Sequence, residues 1–281
     1  MVAGKVLITF GRLTGGGSMS DVTAKKSLGQ HWLKDRASLQ AICDAAEVKD
    51  GDNVFEIGPG MGDLTGELMS RGATIYAVEF DPESYKYLNE RFARQWDLVV
   101  YIEQGDIRKY DFRRLPAGYK IVANIPYYLT SHLIQLISET PNPPSSATLL
   151  VQKEVAERVC AAPGSMSMLS VSAQFYWQVG LGPLVTADKF TPPPKVDSQV
   201  LLLERRPTPL FQDIDEKKFF RLVKAGFANR RKTLVNSLSA GLQITKLDAK
   251  NLLQNAEIST SARPQELSLE QWYSLYKTIN T

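Results

Sequence analysis

From Asn53 onward, short apolar runs alternate with helix-like segments, and this alternation constrains the fold more than any other feature of the chain. Residues 53–57, 74–78, 98–102, 119–123 and 147–151 are each strand-length and mostly rich in β-branched or aromatic residues. Between them, residues 64–69, 82–92 and 131–137 read as helices. Such alternation makes βαβ units, hence an α/β fold with a parallel sheet covered by helices on both faces. A late run at 198–203 follows no long helix, as expected of an antiparallel edge strand.

The pattern changes at Pro207-Thr208-Pro209, which reads as a linker. Beyond it, Phe219, Leu222, Val223 and Phe227 recur at helical spacing, and Leu234, Leu238 and Leu242 do the same. A last helix follows Ser268, which with Gln271 makes a capping box ahead of Leu269, Trp272, Tyr273 and Tyr276. Residues 207–281 therefore read as a small all-α domain after a larger unit at 19–206. Residues 1–18 end in Gly15-Gly16-Gly17-Ser18 and read as a flexible extension, with Met19 a plausible alternative first residue. No internal repeat is found.

Lys+Arg 33 against Asp+Glu 30 leaves a formal charge of only +3, yet the charge is unevenly placed. Residues 205–232 hold nine basic residues (Arg205, Arg206, Lys217, Lys218, Arg221, Lys224, Arg230, Arg231, Lys232) against Asp213, Asp215 and Glu216. That stretch is +6 and the remainder −3. A local basic segment is what tracking a phosphate backbone requires, the plain alternative being a solvated helix face.

Several classes have little material. Cys43 and Cys160 stand far apart without metal-ligand spacing, and His31 and His132 are the only histidines, so no metal site and no Ser-His-Asp triad is expected. No apolar run approaches the ~20 residues of a membrane span, and free thiols suit a reducing compartment. A cytoplasmic protein without membrane association is expected.

The first strand runs into Gly58-Pro59-Gly60-Met61-Gly62 at the start of a helix. Glycines there let a ligand approach the backbone, and a helix N-terminus supplies free amides. The spacing departs from G-x-G-x-x-G, so the turn alone is a weak signal. Glu79 ends the second strand, where a carboxylate can accept both hydroxyls of a ribose. Asp106 follows the third strand and is placed to receive an exocyclic amine of adenine. Singly each is equally a solvated strand end. Together they lie at the carboxyl edge of one sheet, where open α/β sheets bind ligands.

Asn124-Ile125-Pro126-Tyr127 closes the fourth strand. An exocyclic aromatic amine is a poor nucleophile because its lone pair is delocalised into the ring. Two acceptors on its N–H groups hold the nitrogen nearer to tetrahedral and aim the lone pair outward. The Asn124 side-chain oxygen can be one acceptor and the Ile125 carbonyl the other, since Pro126 biases Ile125 toward an extended conformation. Tyr127 then offers a face for a base. The bland alternative is an X-Pro turn with a core tyrosine.

The order EIGPGMG, VEFD, GD and NIPYY resembles the S-adenosylmethionine-dependent rRNA adenine N6-methyltransferases. Three more segments extend the likeness: KSLGQHWL at 26–33 resembles the family's motif over the methionine end of the cofactor, FTPPPKVDS at 190–198 its target-base loop, and FANRRKTL at 227–234 the helical-domain signature of the KsgA branch, the small-subunit rRNA dimethyladenosine transferases. The likeness runs from about Lys25 to the C-terminus.

It implies a Rossmann-like class I methyltransferase sheet plus a helical RNA-recognition domain. It also implies S-adenosylmethionine contacts at Gln30, His31, Leu33, Gly58, Gly60, Glu79, Asp106, Ile107 and Asn124, and a catalytic target-base site of Asn124, Ile125, Tyr127 and Phe190. RNA contacts are expected at Lys25, Lys26, Arg221, Lys224, Arg230, Arg231 and Lys232. His31 stands where Asn is also common, and Tyr128 where Asn is frequent.

The implied reaction is N6-dimethylation of two adjacent adenosines in the 3′-terminal stem-loop of small-subunit rRNA, with a role in small-subunit biogenesis. The partner is that rRNA or the assembling small subunit, and the expected state is a monomer. The target must be unpaired or flipped out, because N6 is inaccessible in a stacked duplex. Three readings compete: a large-subunit rRNA methyltransferase of the antibiotic-resistance type, an assembly or mitochondrial transcription factor with vestigial methylation, and a nicotinamide dehydrogenase. The last gives no reason for residues 124–127.

Overall fold

The computed structural model describes residues 24–25, 29–93, 100–229 and 231–280. The extension read at 1–18 lies outside these residues, as do Lys26 and Arg230. Nine strands occur among the described residues: β1 (Trp32–Leu33), β2 (Asn53–Ile57), β3 (Thr74–Glu79), β4 (Val100–Gln104), β5 (Lys120–Asn124), β6 (Ser146–Gln152), β7 (Trp177–Val185), β8 (Phe190–Thr191) and β9 (Ser198–Arg205). Seven form one sheet in the order β4-β3-β2-β5-β6-β9-β7, and β1 pairs with β8 in a separate antiparallel ribbon. Strands β2 to β6 are mutually parallel, as the alternation requires.

The antiparallel edge is two strands deep. Strand β9 pairs antiparallel with β6 on one side and with β7 on the other, so residues 198–205 lie one strand in from the edge and β7 is outermost. Gly180, Gly182 and Pro183 obscure a strand signal in β7. Gly182 is needed there, because a Cβ would stand 3.0 Å from the Val200 side chain.

Side chains alternate across the sheet with the strand period of two. Phe55, Ile57, Ile121 and Ala123 enter one apolar cluster, while Val54 and Val122 enter the other. Both faces are thereby covered, as a parallel sheet demands. Chain reversals start helices through side-chain caps: Asp81 accepts from the Ser84 amide at the head of helix Pro82–Phe92, and Asp35 from that of Ser38 ahead of Arg36–Ala45.

The C-terminal helices Glu216–Phe227, Leu234–Leu242, Lys246–Asn255 and Leu269–Asn280 pack on the sheet's first face through helix Met168–Tyr176. Phe175 stacks on Phe219 with centroids 5.5 Å apart. The segment through Pro207 is pinned at both ends, Arg206 donating its amide to the Tyr176 carbonyl and Leu210 to that of Phe175, 3.0 Å each. The capping box read at Ser268 is present: the Ser268 amide donates to the Gln271 side chain at 3.0 Å, and the Gln271 amide to the Ser268 hydroxyl at 3.2 Å.

Candidate active site

Strand order places β3 on one side of β2 and β5 on the other, so the crossovers diverge between β2 and β5. A crevice opens at such a switch point. A cavity lies there, and its wall includes Gln30, His31, Leu33, Gly58, Gly60, Glu79, Asp106, Ile107, Asn124, Ile125 and Tyr127, eleven residues that the sequence analysis had singled out.

The floor is the turn after β2. Gly58 has φ +67°, a conformation that favours glycine, and a Cβ built on it would meet nothing within 4 Å, so the backbone there is approachable. Gly62, φ +78°, serves packing instead: a Cβ would stand 2.7 Å from the Phe92 ring. The Trp32 indole nitrogen is buried beside Gly60 and has no hydrogen-bond partner among the described residues.

Glu79 is held from two directions. Its carboxylate accepts from the Gly60 amide at 2.9 Å and from the Asp81 amide at 2.8 Å. Burial raises its pKa, and these two amides oppose the rise. Glu79 lines the cavity, where a carboxylate can accept from a diol. Behind it, Glu56 is fully buried and accepts the Thr65 hydroxyl at 2.6 Å. Desolvation pushes the Glu56 carboxyl up to about 8, and the Glu79 charge adds to the rise, so Glu56 is largely protonated at neutral pH.

Asp106 is already engaged. The Arg108 guanidinium grips both its oxygens, with Nη2 2.6 Å from Oδ2 and Nε 2.9 Å from Oδ1, and this contact holds the Asp106 carboxyl below its usual range. An adenine amine can reach that carboxylate only when Arg108 yields part of its hold.

At the end of β5, Asn124 donates its side-chain nitrogen to the His31 carbonyl at 3.2 Å, and no hydrogen bond to its amide oxygen occurs among the described residues. The Ile125 side chain is in the core while the residue lines the cavity, so its main chain is what it offers there. The Tyr127 hydroxyl bonds the Ser198 hydroxyl at 2.8 Å, and its ring lies near-parallel to the His31 ring, centroids 6.0 Å apart. His31 is itself fixed by its Nδ1, 2.7 Å from the Pro192 carbonyl.

Two expected site residues are engaged within the protein. Phe190 is 3% exposed, pairs with Leu33 across the β1–β8 ribbon and packs in the second apolar cluster. Lys25 reaches Asp81 at 2.6 Å and Glu83 at 3.1 Å.

The basic segment also divides. Arg205 lies over the Tyr176 and Trp177 rings and bonds the Ser138 carbonyl, a structural role. Arg221 and Lys224 stand exposed on helix Glu216–Phe227, and Arg231 and Lys232 on the turn that follows, beside a shallow depression they share with Ala228 and Asn229. Sequence reasoning missed Trp32, Glu56 and Phe80. Phe80 lines the cavity with 53% of its surface exposed, and its signal was an apolar residue directly after the strand-ending Glu79.

A family model described as Ribosomal RNA adenine dimethylase matches residues 22–281. The chain belongs to this family.

Its curated relatives include the Ribosomal RNA small subunit methyltransferase A of Dehalococcoides mccartyi (strain CBDB1), 38% identical over 255 residues, with 90% of this chain and 87% of that protein covered. The protein of that name from Streptococcus pneumoniae (strain P1031) is 38% identical over 265 residues, covering 90% and 91%. A dimethyladenosine transferase from Plasmodium falciparum shares the fold, with a TM-score of 0.76 at 24% identity over 89% of this chain and 98% of that one. The 23S rRNA methyltransferase ErmE aligns with a TM-score of 0.70 at 26% identity, over 89% and 100%. Family and fold agree with the Rossmann-like sheet and helical C-terminal part read from the sequence.

Proposed function

We infer that this member of the rRNA adenine dimethylase family dimethylates N6 of two adjacent adenosines in the 3′-terminal stem-loop of small-subunit rRNA, acting as a cytoplasmic monomer during subunit assembly. The observation that carries the reading is the Asn124 amide, turned by the His31 carbonyl so that its oxygen, without a hydrogen bond among the described residues, lies beside the Ile125 main chain. The small-subunit branch is favoured because curated relatives named for the small subunit are 36–38% identical over about nine-tenths of this chain.

S-adenosylmethionine supplies an activated methyl on a sulfonium. Around it, the glycine turn leaves backbone open at Gly58, Glu79 accepts ribose hydroxyls, and Asp106 accepts the adenine amine once Arg108 yields. Asn124 and Ile125 accept the two N6–H groups of the target, and Tyr127 supports its ring. Because positive charge is lost from the donor, orientation and acceptors matter more than a strong base. In the transfer the new N6–C bond would replace the methyl's bond to sulfur, the thioether would leave with that electron pair, and N6 would give up one proton to solvent at the cavity mouth.

We assign residues 19–206 to cofactor and target-base binding and 207–281 to RNA recognition, through Arg221, Lys224, Arg230, Arg231 and Lys232. Incubation with labelled S-adenosylmethionine and under-methylated small subunits, followed by mapping of the modified nucleotides, tests the reading. Label on adjacent adenosines near the small-subunit 3′ end is expected. No label on those adenosines, or label only in large-subunit rRNA when large subunits are supplied in a parallel reaction, would overturn it.

A further inference from the structure

We propose that Tyr128 is a positioning residue whose exposed ring stacks on the base next to the adenosine being methylated, an inference that rests on the reading above.

Tyr127 and Tyr128 are consecutive in a 3-10 turn, Tyr127–Leu129, where successive side chains point about 120° apart. Tyr127 turns inward, its hydroxyl tied to Ser198. Leu129 turns into the core. Tyr128 is left on the rim, still lining the cavity yet 69% exposed, the highest exposure among the large apolar side chains of the described residues. Gly29 lies beside its ring: a Cβ built on Gly29 would stand 3.7 Å from Tyr128 Cδ1. An aromatic ring held at a cavity mouth with so much of its surface open marks a binding position.

Extruding one adenosine into the cavity also strips its neighbour of a stacking partner, at a cost of a few kcal/mol. The strand must pass over the rim, so the neighbouring base emerges beside Tyr128, and stacking there returns part of what was lost. Two adjacent targets make this useful, since one base waits on the rim while the other reacts.

The test uses the full-length protein and a stem-loop RNA in which 2-aminopurine replaces one of the two adjacent adenosines. That base lacks an N6 amine, so it reports the waiting position by fluorescence while its neighbour reacts. Tyr128→Ala and Tyr128→Leu should raise the KM for RNA about fivefold or more, abolish the stacking-dependent quenching, and leave S-adenosylhomocysteine affinity unchanged. Tyr128→Trp should retain both the KM and the quenching. Unchanged KM and quenching in the alanine and leucine variants would overturn the assignment alone, as would a selective loss of S-adenosylhomocysteine affinity. Failure of the wild-type protein to methylate the unsubstituted stem-loop or small subunits would overturn the functional reading and this assignment with it.

Discussion

The side-chain nitrogen of Asn124 lies 3.2 Å from the main-chain oxygen of His31, and this bond decides which end of the amide faces the cavity. A residue at the end of β5 is thus oriented by a segment far away in sequence. Asn124→Ala should lower methyl transfer by about 10²-fold or more, the range seen when one preorganised polar group is removed from a reacting centre. Binding of S-adenosylhomocysteine should survive. Asn124→Asp tests orientation separately, because a carboxylate cannot donate to the His31 carbonyl. Near-normal dimethylation by either variant would count against the acceptor pair.

Arg108 and the cofactor are expected to compete for Asp106, whose two oxygens the guanidinium now occupies. Arg108→Ala should therefore tighten S-adenosylhomocysteine binding about two- to fivefold, the modest range of exposed ion pairs. Calorimetric titration at low and high salt measures it, and the gain should shrink as salt rises. Weaker binding by the variant would show that Arg108 contacts the cofactor instead.

Glu56 gives a pH prediction. Its folded pKa of about 8 lies above the ordinary 4.5, so between those values the folded state binds more protons than the unfolded one. Stability from this group is therefore greatest below about pH 4.5 and is lost as pH rises to about 8. Glu56→Gln keeps an acceptor for the Thr65 hydroxyl and cannot ionise. It should raise Tm at pH 8.5 by at least about 2–4 °C relative to the wild type, equivalent to about 1 kcal/mol, with little gain at pH 5. Equal shifts at both pH values would refute an ionisation effect.

Neutralising Arg230, Arg231 and Lys232 together should weaken RNA binding and lower the slope of log affinity against log salt by up to about three phosphate contacts. Fluorescence anisotropy over a salt series reads the slope. The Arg205→Ala variant is the useful contrast: its cation lies over Tyr176 and Trp177, so it should lower Tm without moving the slope. An unchanged slope in the triple variant would return the turn to a solvated surface.

Much of the fold was legible because it rests on short-range rules. The βαβ alternation, the Ser268 capping box and the spacing of Phe219, Leu222 and Val223 follow from periodicity and local hydrogen bonding, which neighbouring residues dictate. Strand β7 was not legible, because Gly180, Gly182 and Pro183 mask the pattern, and the reason for Gly182 is the Val200 side chain opposite it in β9. The strand-end residues of the site were legible for a similar reason: once the strands are parallel, Gly58, Glu79, Asp106 and Asn124 must share one edge.

By itself the sequence determined the sheet, the edge that carries the chemistry, and the residue types gathered there, since these depend on period and chain direction. Only the tertiary structure decided where each side chain points and what already holds it. It buried Phe190 against Leu33, matched Lys25 with Asp81, placed Arg108 on Asp106 and left Tyr128 on the rim. Orientation, burial and charge pairing are set by partners distant along the chain, and those partners meet only when the sheet and its loops have closed.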